Sequence, residues 1–168
     1  MAATHVDEIK AEAAKAHKDA TLRERLFDDM QAANKETAVR SAWVLTHLPA
    51  SDNCHIERHR EPLSRLAVTT ENISLRRLTL ALLERLDWRT AGDDAPEHYM
   101  VLLDFCLLHM MLAYEPYGVR ALCMKLAYQI SLPYAELLNE LRQSLLLLQP
   151  SELGPGVRHT RNKILNSL

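Results

Sequence analysis

An apolar residue followed by arginine opens successive helical patterns along this chain, and this repeat constrains the fold more than any other feature. Four such pairs stand at the start of a repeated helical pattern: Val39-Arg40, Leu75-Arg76, Val119-Arg120 and Val157-Arg158. The arginines are 36, 44 and 38 residues apart. Spacings of about 33 to 47 residues are typical of helical repeats that stack because no single unit can bury its apolar face. The sequence therefore predicts a stacked helical-repeat fold.

The composition favours helices throughout. The chain has four glycines in 168 residues and 48% hydrophobic positions, with abundant leucine, alanine, glutamate and arginine, which favour helix over strand. A chain of this length is sufficient for one sizeable core. We predict an all-α fold, an α-α superhelix of about four helix pairs, in a single domain spanning residues 1–168. Its expected parts are a capping segment at 1–20 and repeats at about 21–49, 54–87, 95–131 and 132–168.

Four local features predict helix boundaries or burial. Pro62 either kinks a helix that begins near Ile56 or marks the true first turn of that helix, and the sequence leaves both open. Asp94 is expected to cap the next helix. That helix, around residues 99–112, is apolar on nearly all sides, so we expect neighbours to cover it on both faces. Asp104 interrupts it and is expected to be paired, because an unpaired carboxylate in apolar surroundings is costly.

The chain resembles HEAT-repeat proteins, including small bacterial HEAT-like proteins without an established activity. In this family each unit is an antiparallel helix pair whose second helix opens with valine and arginine. Residues 41–45 and 157–165 extend the match. The resemblance implies that the second helices line a concave surface, with the four repeated arginines at its edge. It also implies a non-enzymatic scaffold or adaptor that binds a protein or peptide.

The repeated arginines are expected to form a structural ladder with carboxylates. Arginine near a helix N-terminus is disfavoured by the helix dipole, so a nearby anion should offset it. HEAT repeats usually place an aspartate in the joint between the two helices, but here glutamates lie four to six residues ahead of the arginines. They are Glu36, Glu71, Glu115 and Glu152. An alternative is that the arginines form a row of ligand contacts.

Candidate ligand contacts are cations outside the repeated position and tyrosines near the third and fourth repeats. The cations are Arg77, Lys125, Arg161 and Lys163, to which Arg120 is added from the repeated set. The tyrosines are Tyr117, Tyr128 and Tyr134. For the cations the plainer interpretation is a solvated helix face. For the tyrosines it is packing between helices with the hydroxyl group in solvent.

The enzymatic alternative is a DNA-binding HEAT-like enzyme of the alkylpurine glycosylase type. Trp43, Trp88, Tyr117 and Asp104 would then join the arginines in engaging damaged duplex. His55 and His59 lie four residues apart and could face one metal ion, but no third ligand is evident. His98 and His109 are isolated and weaker candidates. We therefore expect no enzyme, no metal site and no cofactor.

Charge, hydrophobicity and cysteine content indicate the expected location of the protein and the ligands that we do not expect it to bind. The formal net charge is -2 and the sequence pI is near 6.4, so bulk nucleic-acid binding is not expected. The most apolar stretches are shorter than the roughly 20 residues that span a bilayer, so no membrane association is expected. Cys54, Cys106 and Cys123 are odd in number and widely spaced, which fits a cytoplasmic protein. The leucines of residues 145–148 leave a homo-oligomer open.

Overall fold

The computed structural model describes residues 3–89 and 95–168, and all regular structure within them is helical. The chain divides into two compact units, unit 1 (residues 1–86) and unit 2 (residues 87–168). Short 3₁₀ turns at Ala50–Asp52 and Pro150–Glu152 supplement the α-helices. Those helices are α1 (Ala3–Lys18), α2 (Ala20–Met30), α3 (Lys35–Thr46), α4 (Asn53–Glu57), α5 (Arg60–Thr69), α6 (Ile73–Glu84), α7 (Glu97–His109), α8 (Tyr117–Ser131), α9 (Ala135–Leu147) and α10 (Pro155–Ser167).

Three helices of unit 1 begin at polar residues that satisfy free backbone N–H groups. Asp19 Oδ1 accepts a hydrogen bond from Leu22 N at 3.1 Å, and Asn72 Oδ1 accepts one from Leu75 N at 3.1 Å. Asn34 caps α3 in the same way. Such caps stabilise a helix by about 1 kcal/mol each. The helices α2 and α5 pack against α3 and α6 respectively, and α3 packs against α6.

In unit 2, α8 is the central helix. It packs against α7, α9 and α10, and residues such as Val119, Cys123 and Leu126 are fully buried on it. The helices α7 and α8 begin directly after Pro96 and Pro116, and α10 has Pro155 in its first turn. Proline suits these positions because a first-turn N–H has no partner within the helix. The prediction of an all-α fold built from neighbouring helix pairs is confirmed for the described residues.

The structure distinguishes between the two alternatives for Pro62, a helix kink and a first-turn position. A short helix, α4, ends at Glu57, and a separate helix, α5, begins at Arg60. Pro62 therefore lies in the first turn of α5, where its missing N–H costs nothing. At the next predicted boundary, Pro96 occupies the N-cap of α7, and Asp94 lies outside the described residues.

Two expectations about α7 are wrong. Val101 is 45% exposed and Leu108 is 58% exposed, so one face of this helix is open rather than covered. Asp104 lies between them in the sequence and is also exposed. The reason is that α7 packs chiefly on α8, and a single neighbour leaves the opposite face in solvent. The carboxylate of Asp104 therefore needs no buried partner.

Candidate binding face on α8 and α10

Three of the four repeated arginines donate hydrogen bonds to backbone carbonyls at the ends of preceding helices or turns. Arg120 Nε donates to Met110 O at 2.9 Å, just beyond α7. Arg76 donates through Nε to Ala67 O at 3.1 Å and through Nη2 to Thr70 O, at the end of α5. Arg158 Nη2 donates to Leu153 O at 3.0 Å. Carbonyls at a helix C-terminus lack partners within the helix and carry partial negative charge, so a guanidinium group stabilises them.

Arg40 has a different partner. Its Nη2 lies 2.5 Å from Glu12 Oε2 on α1, so the carboxylate comes from another helix and not from Glu36 in its own joint. Glu115, expected opposite Arg120, has its Oε1 2.5 Å from His109 Nδ1. The repeated arginines therefore bind backbone carbonyls or, for Arg40, a glutamate on another helix. These partners stand in place of the joint glutamates that the sequence predicts.

The candidate ligand contacts divide into buried and exposed groups. Arg161 is only 8% exposed, and its Nε donates to Leu145 O at 2.8 Å. The expectation that Arg161 is an exposed contact is therefore wrong, because it shares the inward stripe of Val157 and Ile164. Arg120 is 4% exposed, which is incompatible with a ligand contact. Arg77, Lys125, Lys163 and Tyr117 are exposed.

The helices α8 and α10 are parallel neighbours. At their N-terminal ends, the ring of Tyr117 lies 3.1 Å from the position that a Cβ atom on Gly154 would occupy. At their C-terminal ends, Tyr128 and Leu132 line the same cavity as residues 167 and 168. A side chain larger than hydrogen at residue 154 would press on the Tyr117 ring, so glycine permits this close approach.

Two exposed lysines occupy equivalent positions on these parallel helices. Lys125 lies five residues after Arg120, and Lys163 lies five residues after Arg158. Each lysine is the ninth residue of its helix, so the two occupy matching positions along neighbouring helices. We call the exposed surface that carries Lys125, His159 and Lys163 the α8/α10 face.

The α8/α10 face is basic although the chain as a whole is slightly acidic. Neither α8 nor α10 contains an aspartate or glutamate, whereas the chain has a net charge of -2. The ammonium groups of Lys125 and Lys163 form no ion pair with the residues that the structure describes. Such a local concentration of unpaired positive charge attracts an acidic ligand.

A cavity of about 280 Å³ lies at the C-terminal end of this face. The guanidinium group of Arg142 has no ion pair within the described chain. Sequence reasoning missed this cavity, although Arg142 is the only lysine or arginine in α9 and lies one turn after Leu138. Its lining comes from three helices and comprises Tyr128, Leu132, Ala135, Leu138, Asn139, Arg142, Ser167 and Leu168.

The aromatic candidates lie in different settings. Trp88 is 1% exposed and its ring packs edge-on against Tyr99, with centroids 4.8 Å apart. Trp43 is half-buried and contacts the rings of His5 and His47. Trp88 is thus a core residue. Tyr128 and Tyr134 are half-buried, while Tyr114, which the sequence interpretation omitted, is 79% exposed.

Two of the histidine candidates, His59 and His109, are engaged with other side chains, whereas the buried Nδ1 of His55 has no hydrogen-bond partner in the described part of the chain. His59 stacks on Phe27 with ring centroids 3.9 Å apart, and its Nε2 lies 2.9 Å from Glu24 Oε2. His109 stacks on Phe105 at 3.8 Å and pairs with Glu115. Within residues 3–89 and 95–168, no group of three or more histidine, cysteine, aspartate or glutamate side chains is arranged to hold a metal ion.

A buried carboxylate organises one end of unit 1. Asp52 is 4% exposed, and its Oδ2 lies 2.8 Å from Nδ1 of His17 on α1. Nearby, Arg85 donates to Asn53 Oδ1 at 2.9 Å and to Pro49 O at 3.0 Å. Burial lowers the pKa of Arg85, and attraction to Asp52 opposes that shift. These contacts join α1, the 3₁₀ turn and the end of α6, which is a structural role.

The cysteines differ in exposure. Cys54 is exposed, whereas Cys106 and Cys123 are buried. Burial, followed by the neighbouring Cys123, raises the pKa of the Cys106 thiol well above its usual value. Because the thiolate is the reactive form, Cys106 is not suited to act as a nucleophile.

Comparison with known proteins places the chain in a family. No curated protein and no solved structure matches it. None of the described helices is both long enough and apolar enough to cross a membrane. A family model described as HEAT repeat domain matches residues 1–168, the whole chain. With its helix pairs and its arginines at the start of the second helices, the chain belongs to the HEAT repeat domain family.

Proposed function

We propose that this protein is a non-enzymatic adaptor that binds an acidic segment of another protein on the α8/α10 face. The observation that carries the proposal is the pair of exposed lysines, Lys125 and Lys163, on adjacent parallel helices that contain no acidic residue. Unpaired cations on a rigid helical surface are available to a ligand without the loss of any internal contact.

The surroundings of the face favour a narrow, acidic ligand. The helices α7 and α9 pack against α8 and carry exposed carboxylates, among them Asp104, Glu136 and Glu140. These anions would repel an acidic ligand that extended onto α7 or α9. An extended peptide that follows α8 and α10 avoids this repulsion. Because exposed ion pairs contribute about 0.2–1 kcal/mol each, we expect weak and transient binding.

The proposed absence of catalysis agrees with the engagement of the candidate reactive groups. His59 pairs with Glu24, His109 pairs with Glu115, and Arg120 is buried against Met110 O. The HEAT family architecture supports a scaffold because stacked helix pairs present extended binding surfaces.

A nucleic-acid enzyme of the glycosylase type has less support. Trp88, Arg120 and Arg161 are buried, so none of them is placed to contact a base or a phosphate group. Asp104 lies on α7 and not on the α8/α10 face. Tight duplex binding commonly uses about 6–10 phosphate contacts, more than this face offers.

The experiment that tests the proposal measures peptide binding by fluorescence anisotropy. The probe is a fluorescein-labelled peptide of alternating glutamate and serine, and its matched control replaces each glutamate with lysine. We expect the acidic probe to bind at low salt and to weaken about tenfold at physiological salt, since exposed charges are screened. The double substitution Lys125→Gln with Lys163→Gln should weaken binding at least about fivefold, the loss of two exposed ion pairs.

The matched control variant is Arg77→Gln, which removes an exposed second-helix cation from unit 1 and should leave the affinity unchanged. Equal binding of the lysine peptide, or an unaltered affinity in the double variant, would contradict the proposal. A single-stranded oligonucleotide that binds more tightly than the acidic peptide would favour the nucleic-acid alternative.

A further inference from the structure

We infer that the cavity at the C-terminal ends of α8 and α10 is an anchor pocket for one aliphatic side chain of the acidic segment. This inference rests on the proposed function and specifies its ligand further. The expected recognition element is an apolar residue flanked by aspartate or glutamate.

The cavity is continuous with the α8/α10 face. Tyr128, at the cavity wall, follows Lys125 by three residues. Ser167, also at the wall, follows Lys163 by four residues, and its Oγ donates to Lys163 O at 3.0 Å. Three or four residues are about one helical turn, or roughly 5.4 Å along the axis. A peptide held by both lysines therefore reaches the cavity with its next residues.

The size and lining of the cavity suit a side chain. Its volume of about 280 Å³ lies below the range of roughly 300–1,000 Å³ that is typical of small-molecule sites. Leu132, Ala135 and Leu138 supply aliphatic surface, and Asn139 and Arg142 supply polar groups. An aliphatic side chain that enters this cavity leaves water and packs against these three side chains, which is favourable because apolar surface is buried.

Arg142 determines what flanks the apolar residue. It is exposed and lines the cavity, and no carboxylate in the described chain pairs with it. A guanidinium group binds a carboxylate through two parallel hydrogen bonds. The complementary ligand therefore carries an aspartate or glutamate next to its apolar anchor, in agreement with the positive charge of Lys125 and Lys163.

The test compares two fluorescein-labelled acidic peptides that differ at one central position, leucine in one and serine in the other. We expect the leucine peptide to bind about tenfold more tightly, the gain that burial of one leucine leaves after its ordering cost. Ala135→Trp should abolish this difference because the indole fills the cavity from an exposed position. Gln143→Trp is the matched control, since residue 143 is exposed on the same helix and does not line the cavity.

Arg142→Gln provides a second measurement that depends little on folding, because the side chain is exposed. It should weaken the leucine peptide about threefold, and a peptide with neutral residues beside its leucine should lose nothing. Equal affinities for the leucine and serine peptides would overturn the anchor pocket and leave the adaptor function standing. Failure of both peptides to bind would overturn the adaptor function and the pocket with it.

Discussion

The two units of this protein use their charged side chains differently. In unit 1, ion pairs connect separate helices or turns, as in Arg40 with Glu12 and His17 with Asp52. In unit 2, the buried arginines bond to backbone carbonyls, and exposed cations such as Lys125 have no carboxylate partner in the described chain. Unit 1 thus joins its helices partly through ion pairs, whereas the buried arginines of unit 2 have no carboxylate partner in the described chain.

One side-chain motif occurs in both units and allows a direct comparison of its burial in each. In each unit a histidine ring stacks on a phenylalanine and pairs with a carboxylate, His59 with Glu24 in unit 1 and His109 with Glu115 in unit 2. The side chain of Glu24 is 49% exposed, whereas that of Glu115 is 5% exposed. The same contact is therefore peripheral in one unit and part of the interior in the other.

The largest expected difference between the units is in thiol reactivity. Cys54 of unit 1 is exposed and should react at once with Ellman's reagent. Cys106 and Cys123 of unit 2 are buried, and the raised pKa of Cys106 keeps its thiol protonated at pH 8. We expect these two to react about a thousandfold more slowly, because labelling requires the unit to open.

The measurement follows absorbance of the released thiolate in the native protein, with Cys54→Ser as the control that removes the fast phase. Rapid reaction of all three thiols would show that unit 2 opens readily and would contradict the expected difference in thiol reactivity between the units.

The next effect concerns the arginine contacts. Arg120→Met keeps most of the aliphatic stem but removes the hydrogen bond to Met110 O, so it should lower the free energy of unfolding by about 2 kcal/mol. The corresponding substitution in unit 1, Arg40→Met, removes a half-exposed ion pair and should cost about 0.5 kcal/mol. Urea unfolding followed by circular dichroism measures both. Equal losses would mean that carbonyl and carboxylate partners contribute alike.

The smallest effect concerns the two histidine–carboxylate pairs. Glu115→Gln removes a buried negative charge beside His109 and should lower the free energy of unfolding by about 1.5 kcal/mol at neutral pH. Glu24→Gln, at the exposed counterpart, should cost about 0.3 kcal/mol. Thermal unfolding of both variants checks the ratio, and a larger loss for Glu24→Gln would reverse the distinction drawn between peripheral and interior pairs.

The sequence predicted the helices better than it predicted the partners of individual side chains. Apolar periodicity identifies helices because it reflects burial along one element, and the helix pairs follow from it. Spacing alone does not reveal whether an arginine at a helix start meets a glutamate or a carbonyl, since both lie within reach in a short joint. The burial of Arg161 was accessible from its position on the stripe of Val157 and Ile164. The exposure of Asp104 depends on which helices cover α7, which no local pattern records.

The candidate site was predicted in part. Lys125 and Lys163 stood out because they fall outside the repeated arginine position, and both are exposed. The cavity beside Arg142 requires three helices to converge, and convergence of that kind is a property of packing rather than of any single segment.

The hydrogen bonds from arginine to backbone carbonyls have a consequence for how such repeats change over time. A carbonyl oxygen is supplied by every residue type, so the contact that closes a helix pair at Arg76, Arg120 or Arg158 survives most substitutions in the joint that it spans. The unequal spacings of 36, 44 and 38 residues accord with this freedom. A joint closed by a main-chain acceptor tolerates drift in its sequence and length for as long as the arginine donor is kept.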